Sequence, residues 1–229
     1  DDLEKFGGPY IREHFQAKTH PCWACQMHHC HMLTIPDGAY AGFTGEEPEY
    51  EQFAAFGPAT GQTDVAAAIV MANEVDRLGM DTNEMGWLLG LVMECYEKGL
   101  MDKKETGGID LRFGNGEALL EVISLIARKQ GIGDLLSQGT KSVSERITGS
   151  KEFAMHVKGL ELPGYDPRGM KGQGLTYALS DRGGCHVRSN TIRTELLGLP
   201  EPIDRYAYEK KAEMVRNLQL TYATADCII

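Results

Sequence analysis

Residues 63–99 read TDVAAAIVMANEVDRLGMDTNEMGWLLGLVMECYEKG. Val65, Ile69, Ala72 and Val75 recur at helical spacing and form one apolar stripe. Thr63 or Asp64 offers the side-chain oxygen that caps such a helix. The run Asp76-Arg77-Leu78-Gly79-Met80-Asp81 ends it, because Gly79 suits the left-handed residue of a C-terminal cap. Asp81 or Thr82 then caps a second helix that runs to about Lys98 and is closed by Gly99. Two capped helices joined by a turn of a few residues decide for a helical architecture. Gly86 and Gly90 lie inside the second helix, where each costs about 1 kcal/mol against alanine. Close approach of another helix or of a ligand is the expected compensation.

The same signals recur outward from this stretch. Asn115 caps a predicted helix over 117–130, with Leu119, Leu120, Ile123 and Ile126 on one side and Gly131 and Gly133 as breakers. Residues 134–147 read as one amphipathic helix with Leu135, Leu136, Val143 and Ile147 inward, and 204–224 as a last helix. Residues 3–18 are mixed and part helical, 35–48 are a Gly/Pro-rich loop, and strand alternation is scarce. Residues 159–185 are glycine-rich, yet apolar and charged side chains are interleaved, so they read as backbone shaped around something rather than as a linker. The expected fold class is all-α and multihelical, in two helical subdomains with long shaped loops. Residues 1–150 form the first domain and 151–229 part of the second.

Composition narrows the function. The chain has 229 residues, 42% hydrophobic and 24% charged, which is enough for a core without disulfides. Acids outnumber bases by 33 to 23, a net charge of −10, which argues against a nucleic-acid partner. No run approaches the roughly 18 apolar residues of a membrane helix, and no basic-led apolar segment marks a signal peptide. The start at Asp1 and the end at Asp226-Cys227-Ile228-Ile229 read as a piece of a longer polypeptide.

Six cysteines are present, at 22, 25, 30, 95, 185 and 227. Three cluster in Pro21-Cys22-Trp23-Ala24-Cys25-Gln26-Met27-His28-His29-Cys30-His31. A Cys-x2-Cys pair brings two thiolates round one turn, and three near cysteines plus one distant one is a common arrangement for iron–sulfur clusters. Zinc competes, because His28, His29 and His31 stand in the same run. A redox Cys-x2-Cys pair ranks below both, for want of a strand–helix unit around it. Cys95 lies in an apolar helical run and reads as packing. Cys185, in a Gly-Gly-Cys-His turn, reads as either packing or a ligand, and Cys227 is a candidate for the distant ligand by elimination.

The order of motifs resembles the second and third domains of the tungsten-pterin aldehyde ferredoxin oxidoreductase family over nearly the whole chain. The residues that carry it are Pro21-Cys22-x-x-Cys25, Glu49-Tyr50-Glu51, Asp76-Arg77-Leu78-Gly79-Met80-Asp81, Gly114-Asn115-Gly116-Glu117, Gly131-Ile132-Gly133-Asp134-Leu135-Leu136 and His156-Val157-Lys158-Gly159-Leu160-Glu161-Leu162-Pro163. Tyr165-Asp166-Pro167-Arg168-Gly169 and Gly184-Cys185-His186-Val187-Arg188 complete it. The resemblance implies an all-α fold and oxidation of a small aldehyde to a carboxylic acid at a tungsten (or molybdenum) bis-pterin centre. It also implies a [4Fe-4S] cluster that passes electrons to ferredoxin or another electron carrier. An N-terminal pterin-binding domain of the same parent chain, a homodimer and an anaerobic cytoplasmic setting belong to the same expectation.

Carried over by position, Cys22, Cys25, Cys30 and Cys227 are the implied cluster ligands, and Asp76, Gly79, Met80 and Asp81 the pterin contacts. The family commonly has three residues between its second and third cysteines, whereas this chain has four. His29 stands at the expected place, so the third ligand lies between His29 and Cys30. The last motif also departs from the family's Asp-x-x-Gly-Leu-Cys, reading Tyr222-Ala223-Thr224-Ala225-Asp226-Cys227. Glu51 matches the general base for the attacking water, and His186 the group that hydrogen-bonds the carbonyl oxygen. Without the resemblance, Glu51 reads as a solvated acid beside Glu46, Glu47 and Glu49, and His186 as a structural histidine. Two alternatives remain: a tungsten-containing benzoyl-CoA reductase-type subunit of the same fold, and a non-catalytic zinc-stabilised helical binding module.

Overall fold

The computed structural model of the protein describes residues 2–224. Cys227 lies outside the described residues. The chain divides into two compact units, Asp1–Ala154 and Met155–Ile229.

The first unit begins with a 3-10 turn at Asp2–Phe6, then α1 (Gly8–His14), β1 (Gln16–Thr19), β2 (His31–Thr34), β3 (Thr44–Glu46) and α2 (Tyr50–Phe56). It continues with α3 (Val65–Arg77), α4 (Thr82–Glu97), α5 (Gly116–Arg128), α6 (Ile132–Leu136) and α7 (Gly139–Arg146). The second unit holds β4 (His156–Val157), β5 (Leu160–Glu161), α8 (Lys171–Leu179), α9 (Ile192–Glu195) and α10 (Lys211–Tyr222). The mostly helical reading therefore holds. What it left out is an antiparallel sheet in the order β1-β2-β3 and a small β4-β5 ribbon. No helix of the described residues is long and apolar enough to cross a membrane.

The caps do what the sequence asks. The side chains of Asp64, Asp81 and Asn115 accept from the backbone amides of Ala66, Glu84 and Ala118. Each cap removes an unpaired helix-end amide, a contribution of about 1 kcal/mol. Gly79 and Gly99 take φ of +70° and +69°, so the left-handed turn after each helix costs no Cβ clash. The core lies between α2, α3, α4 and α5, with Phe56, Ile69, Met71, Leu89, Met93 and Leu119 fully buried.

The two helical glycines are explained by α2 and by the 3-10 turn Pro58–Thr60 that follows it. A Cβ on Gly86 would fall on the Ala55 methyl and stand 2.7 Å from the Ala55 Cα. A Cβ on Gly90 would meet the Ala59 carbonyl oxygen at 2.9 Å. The missing methyl at Gly86 thus seats α2 directly on α4, that at Gly90 seats the 3-10 turn Pro58–Thr60 that follows, and α2 carries Glu51 in its first turn.

Three helix boundaries differ from expectation. The run 134–147 is two helices, because the Ser137 hydroxyl bonds the Asp134 carbonyl and Gly139 turns left-handed at φ +82°. The helix ending near Gln130 stops instead at Arg128, with Lys129 itself left-handed. The last helix begins at Lys211 rather than near 204, since Lys210 takes φ +62°. In the second unit the shaped glycines close around other segments of that unit. A Cβ on Gly172 would stand 2.8 Å from a Glu195 carboxylate oxygen, and one on Gly184 2.8 Å from the Leu160 carbonyl oxygen.

Candidate functional site

The cysteine loop is the tip of the β1-β2 hairpin. Thr19 pairs with His31, and the His20 amide bonds the Cys30 carbonyl at 2.9 Å, so Cys30 sits where the ladder ends. Within the tip, the Cys25 amide bonds the Cys22 carbonyl at 3.0 Å, and the Cys25 sulfur accepts the Met27 amide at 3.4 Å. Ala24 and His28 take left-handed φ of 59° and 51°, a conformation costly for residues with a Cβ. The strained tip holds Cys22 and Cys30 with Sγ atoms 3.8 Å apart.

Beside Cys30, the His29 Nε2 lies 3.3 Å from its sulfur and 3.2 Å from Glu49 Oε1. Burial pushes the Cys30 thiol up to about 11, helped by Cys22 and by the negative charge of Glu49 and Glu46. On the other flank, Arg12 donates to both Glu47 oxygens at 2.6 and 2.9 Å. The second Glu47 oxygen lies 2.8 Å from His31 Nδ1. His29 and His31 thus flank the third cysteine, each with a carboxylate partner.

The chain then leads from β3 into α2, whose N-cap is Glu49. The Glu49 amide bonds the Gln52 side-chain oxygen at 2.8 Å, and the Glu49 side chain accepts the Gln52 amide, which completes a capping box. The Gln52 amide nitrogen donates to Asp76 Oδ2 at 2.8 Å, and the Thr82 hydroxyl to Asp76 Oδ1 at 3.2 Å. One cavity of about 600 Å³ is lined by Cys22, Cys30, Glu51, Gln52, Asp76, Asp81 and their neighbours. Glu51 is half-buried rather than a freely solvated acid.

Not every expected residue faces this cavity. Cys25 is half-buried in the hairpin tip and does not line it. Met80 is part-buried against the core and lines a separate hollow with Leu78, Glu84 and Leu88. Gly79 supplies the turn between α3 and α4. Asp81 lines the cavity while one of its oxygens caps α4. His186 belongs to the second unit, half-buried, its ring edge-on to Tyr165 at 5.2 Å. Cys95 is fully buried, and burial raises its thiol to about 11, in keeping with a packing role. Cys185 is also buried.

Sequence reasoning missed Gln52, Thr82 as a partner of Asp76, and the Arg12–Glu47–His31 group. The Glu49-x-x-Gln52 spacing was the readable signal for the first, since a Gln at the third helical position is half of a capping box. The others bring together residues distant in sequence, and no spacing announces them.

Comparison with known proteins agrees with the motif order. The family model for aldehyde ferredoxin oxidoreductase, domains 2 and 3, matches residues 1–229. The tungsten-containing aldehyde ferredoxin oxidoreductase of Pyrococcus abyssi is 39% identical over 212 residues, covering 91% of this chain and 34% of that protein. The protein of the same description from Pyrococcus horikoshii is 38% identical over 223 residues, 96% of this chain and 36% of that one. The chain therefore spans about a third of the length of these curated relatives. Among solved structures, the active site complex BamBC of benzoyl coenzyme A reductase, with 1,5-dienoyl-CoA, superposes with a TM-score of 0.61. That match has 18% identity and covers 76% of this chain and 26% of that one, so it speaks for the fold alone. On the motifs, the helical architecture and these relatives together, the chain belongs to the aldehyde ferredoxin oxidoreductase family, whose second and third domains it matches along its whole length.

Proposed function

We propose that this chain is part of an enzyme that oxidises small aldehydes to carboxylic acids at a tungsten (or molybdenum) bis-pterin centre. Electrons leave through a [4Fe-4S] cluster to ferredoxin or another electron carrier. The observation that carries this reading is the gathering of Cys22, Cys30, Glu51, Asp76 and Asp81 round one cavity. The donor sets fit the groups. Three thiols on one hairpin tip are the soft, deprotonable donors that iron–sulfur clusters take. The carboxylates of Asp76 and Asp81 accept only, and so match the N–H edge of a pterin. Tungsten appears in the names of the relatives that are 38–39% identical, which favours it over molybdenum.

The bound metal supplies the two-electron oxidation. Aldehyde and water give the carboxylic acid, two protons and two electrons. Glu51 takes a proton from the attacking water, for which a half-buried carboxylate on a rigidly seated helix is suited. Asp76 orients the pterin, and the hairpin tip holds the cluster. For His186 and Cys227 the reading rests on the family resemblance alone. An N-terminal pterin-binding domain of the same parent chain completes the centre.

Two experiments on the full-length parent test this. Anaerobic metal analysis should find about four iron and one tungsten or molybdenum per chain. Zinc without iron would instead make the hairpin tip a structural clip and the chain a binding module. Glu51→Gln should cut aldehyde turnover by about 10²–10⁴-fold with metal content unchanged. Turnover at the wild-type rate would remove the general-base role.

A further inference from the structure

Gln52 joins two parts of the site that the sequence keeps apart. Its Oε1 accepts the Glu49 amide, closing the cap of the helix that presents Glu51. Its Nε2 donates to the Asp76 carboxylate, which lies near the end of α3. The two partners fix the amide's orientation. One is a donor and the other an acceptor, so a flipped amide would set N–H against N–H and oxygen against carboxylate. Thr82 holds the other Asp76 oxygen. With one partner on each oxygen the carboxylate is held in one plane, and each oxygen keeps a lone pair for a ligand.

We propose that Gln52 is a positioning residue that locks the Asp76 carboxylate in register with the Glu51 helix. The group held by Asp76 and the water activated by Glu51 then keep a fixed separation. This rests on the reading above, in which Asp76 holds the pterin. A capping role alone needs only an acceptor at this position, and glutamate serves there as well as glutamine. The tie to Asp76 needs the amide N–H. The same side chain therefore separates the two roles chemically.

The test uses the full-length parent, purified anaerobically. Gln52→Glu keeps the cap acceptor but sets a carboxylate against Asp76. It should keep the wild-type helical content by circular dichroism and yet lose tungsten and pterin on dialysis about tenfold faster, the equivalent of one hydrogen bond to a charged group. Thr82→Val, which removes the other Asp76 donor and leaves the α2 cap untouched, should also speed the loss. It keeps the proposal open to test if Gln52→Glu folds poorly. Asp76→Asn is the control for the underlying reading. If Asp76→Asn sheds pterin while both other variants retain it at the wild-type rate, the positioning role of Gln52 is overturned and the pterin contact stands. If Asp76→Asn retains pterin as well, the pterin contact itself fails and the proposal falls with it.

Discussion

Gly86→Ala is the sharpest probe of how the glutamate helix is seated. The added methyl would stand 2.7 Å from the Ala55 Cα, directly on the Ala55 side chain. Carbon atoms rest at about 3.5–4.0 Å, so α2 and α4 must part by roughly 1 Å. The obstacle is backbone and a Cβ, neither of which can rotate away. Overpacking of this kind costs up to about 3 kcal/mol. The gain in helix propensity returns about 1 kcal/mol. The expected net loss is about 2 kcal/mol, or a fall in Tm of roughly 4–8 °C for a unit of this size. Thermal unfolding followed by circular dichroism on the 229-residue chain measures it. Gly90→Ala, which meets only the Ala59 carbonyl oxygen at 2.9 Å, should cost less. Ala55→Gly in the Gly86→Ala background should restore part of the loss, because it removes the methyl being struck. A Gly86→Ala variant as stable as the parent, or more stable, would show that propensity outweighs the close approach and would refute the account.

Two other expectations follow from burial. The Glu195 carboxylate in the second unit is fully buried and receives Lys211, the Thr191 hydroxyl at 2.6 Å and the Gly172 amide at 2.9 Å. Lys211→Met strands that charge and should cost about 3–5 kcal/mol, read by urea denaturation; a loss below about 1 kcal/mol would mean that the hydroxyl and amide suffice. Cys95, with its thiol raised to about 11 by burial, should resist iodoacetamide at pH 8 in the native chain and react after denaturation. Native labelling at the rate of a free thiol would contradict its burial.

The helical architecture was legible because its determinants are local. Asp64, Asp81 and Asn115 announce helix starts, Gly79 and Gly99 announce ends, and each does so within four residues of the event. The sheet was not legible. β2 and β3 are three or four residues long, too short for alternation to register, and β1 is exposed throughout. The pair Gly86 and Gly90 told that something came close but not what, because the partner, Ala55 and Ala59, lies about thirty residues away. At the site, the cysteines and acids were readable as residue types. That Met80 turns to a different hollow from Asp76 was not, since only the path of the turn decides it.

The hairpin beneath the cysteines carries a consequence for how this site can diverge. Its ladder closes at Thr19 and His31, and everything between is tip. A residue gained or lost between Cys25 and Cys30 changes only the tip, and left-handed residues such as His28 absorb the change in chain direction. The same insertion inside β2 would turn Leu33, fully buried against the core, out to solvent and bring Thr34 inward. The tip between the second and third cysteines can therefore change length without disturbing the core, while the stretch from Cys30 to the end of β2 at Thr34 cannot.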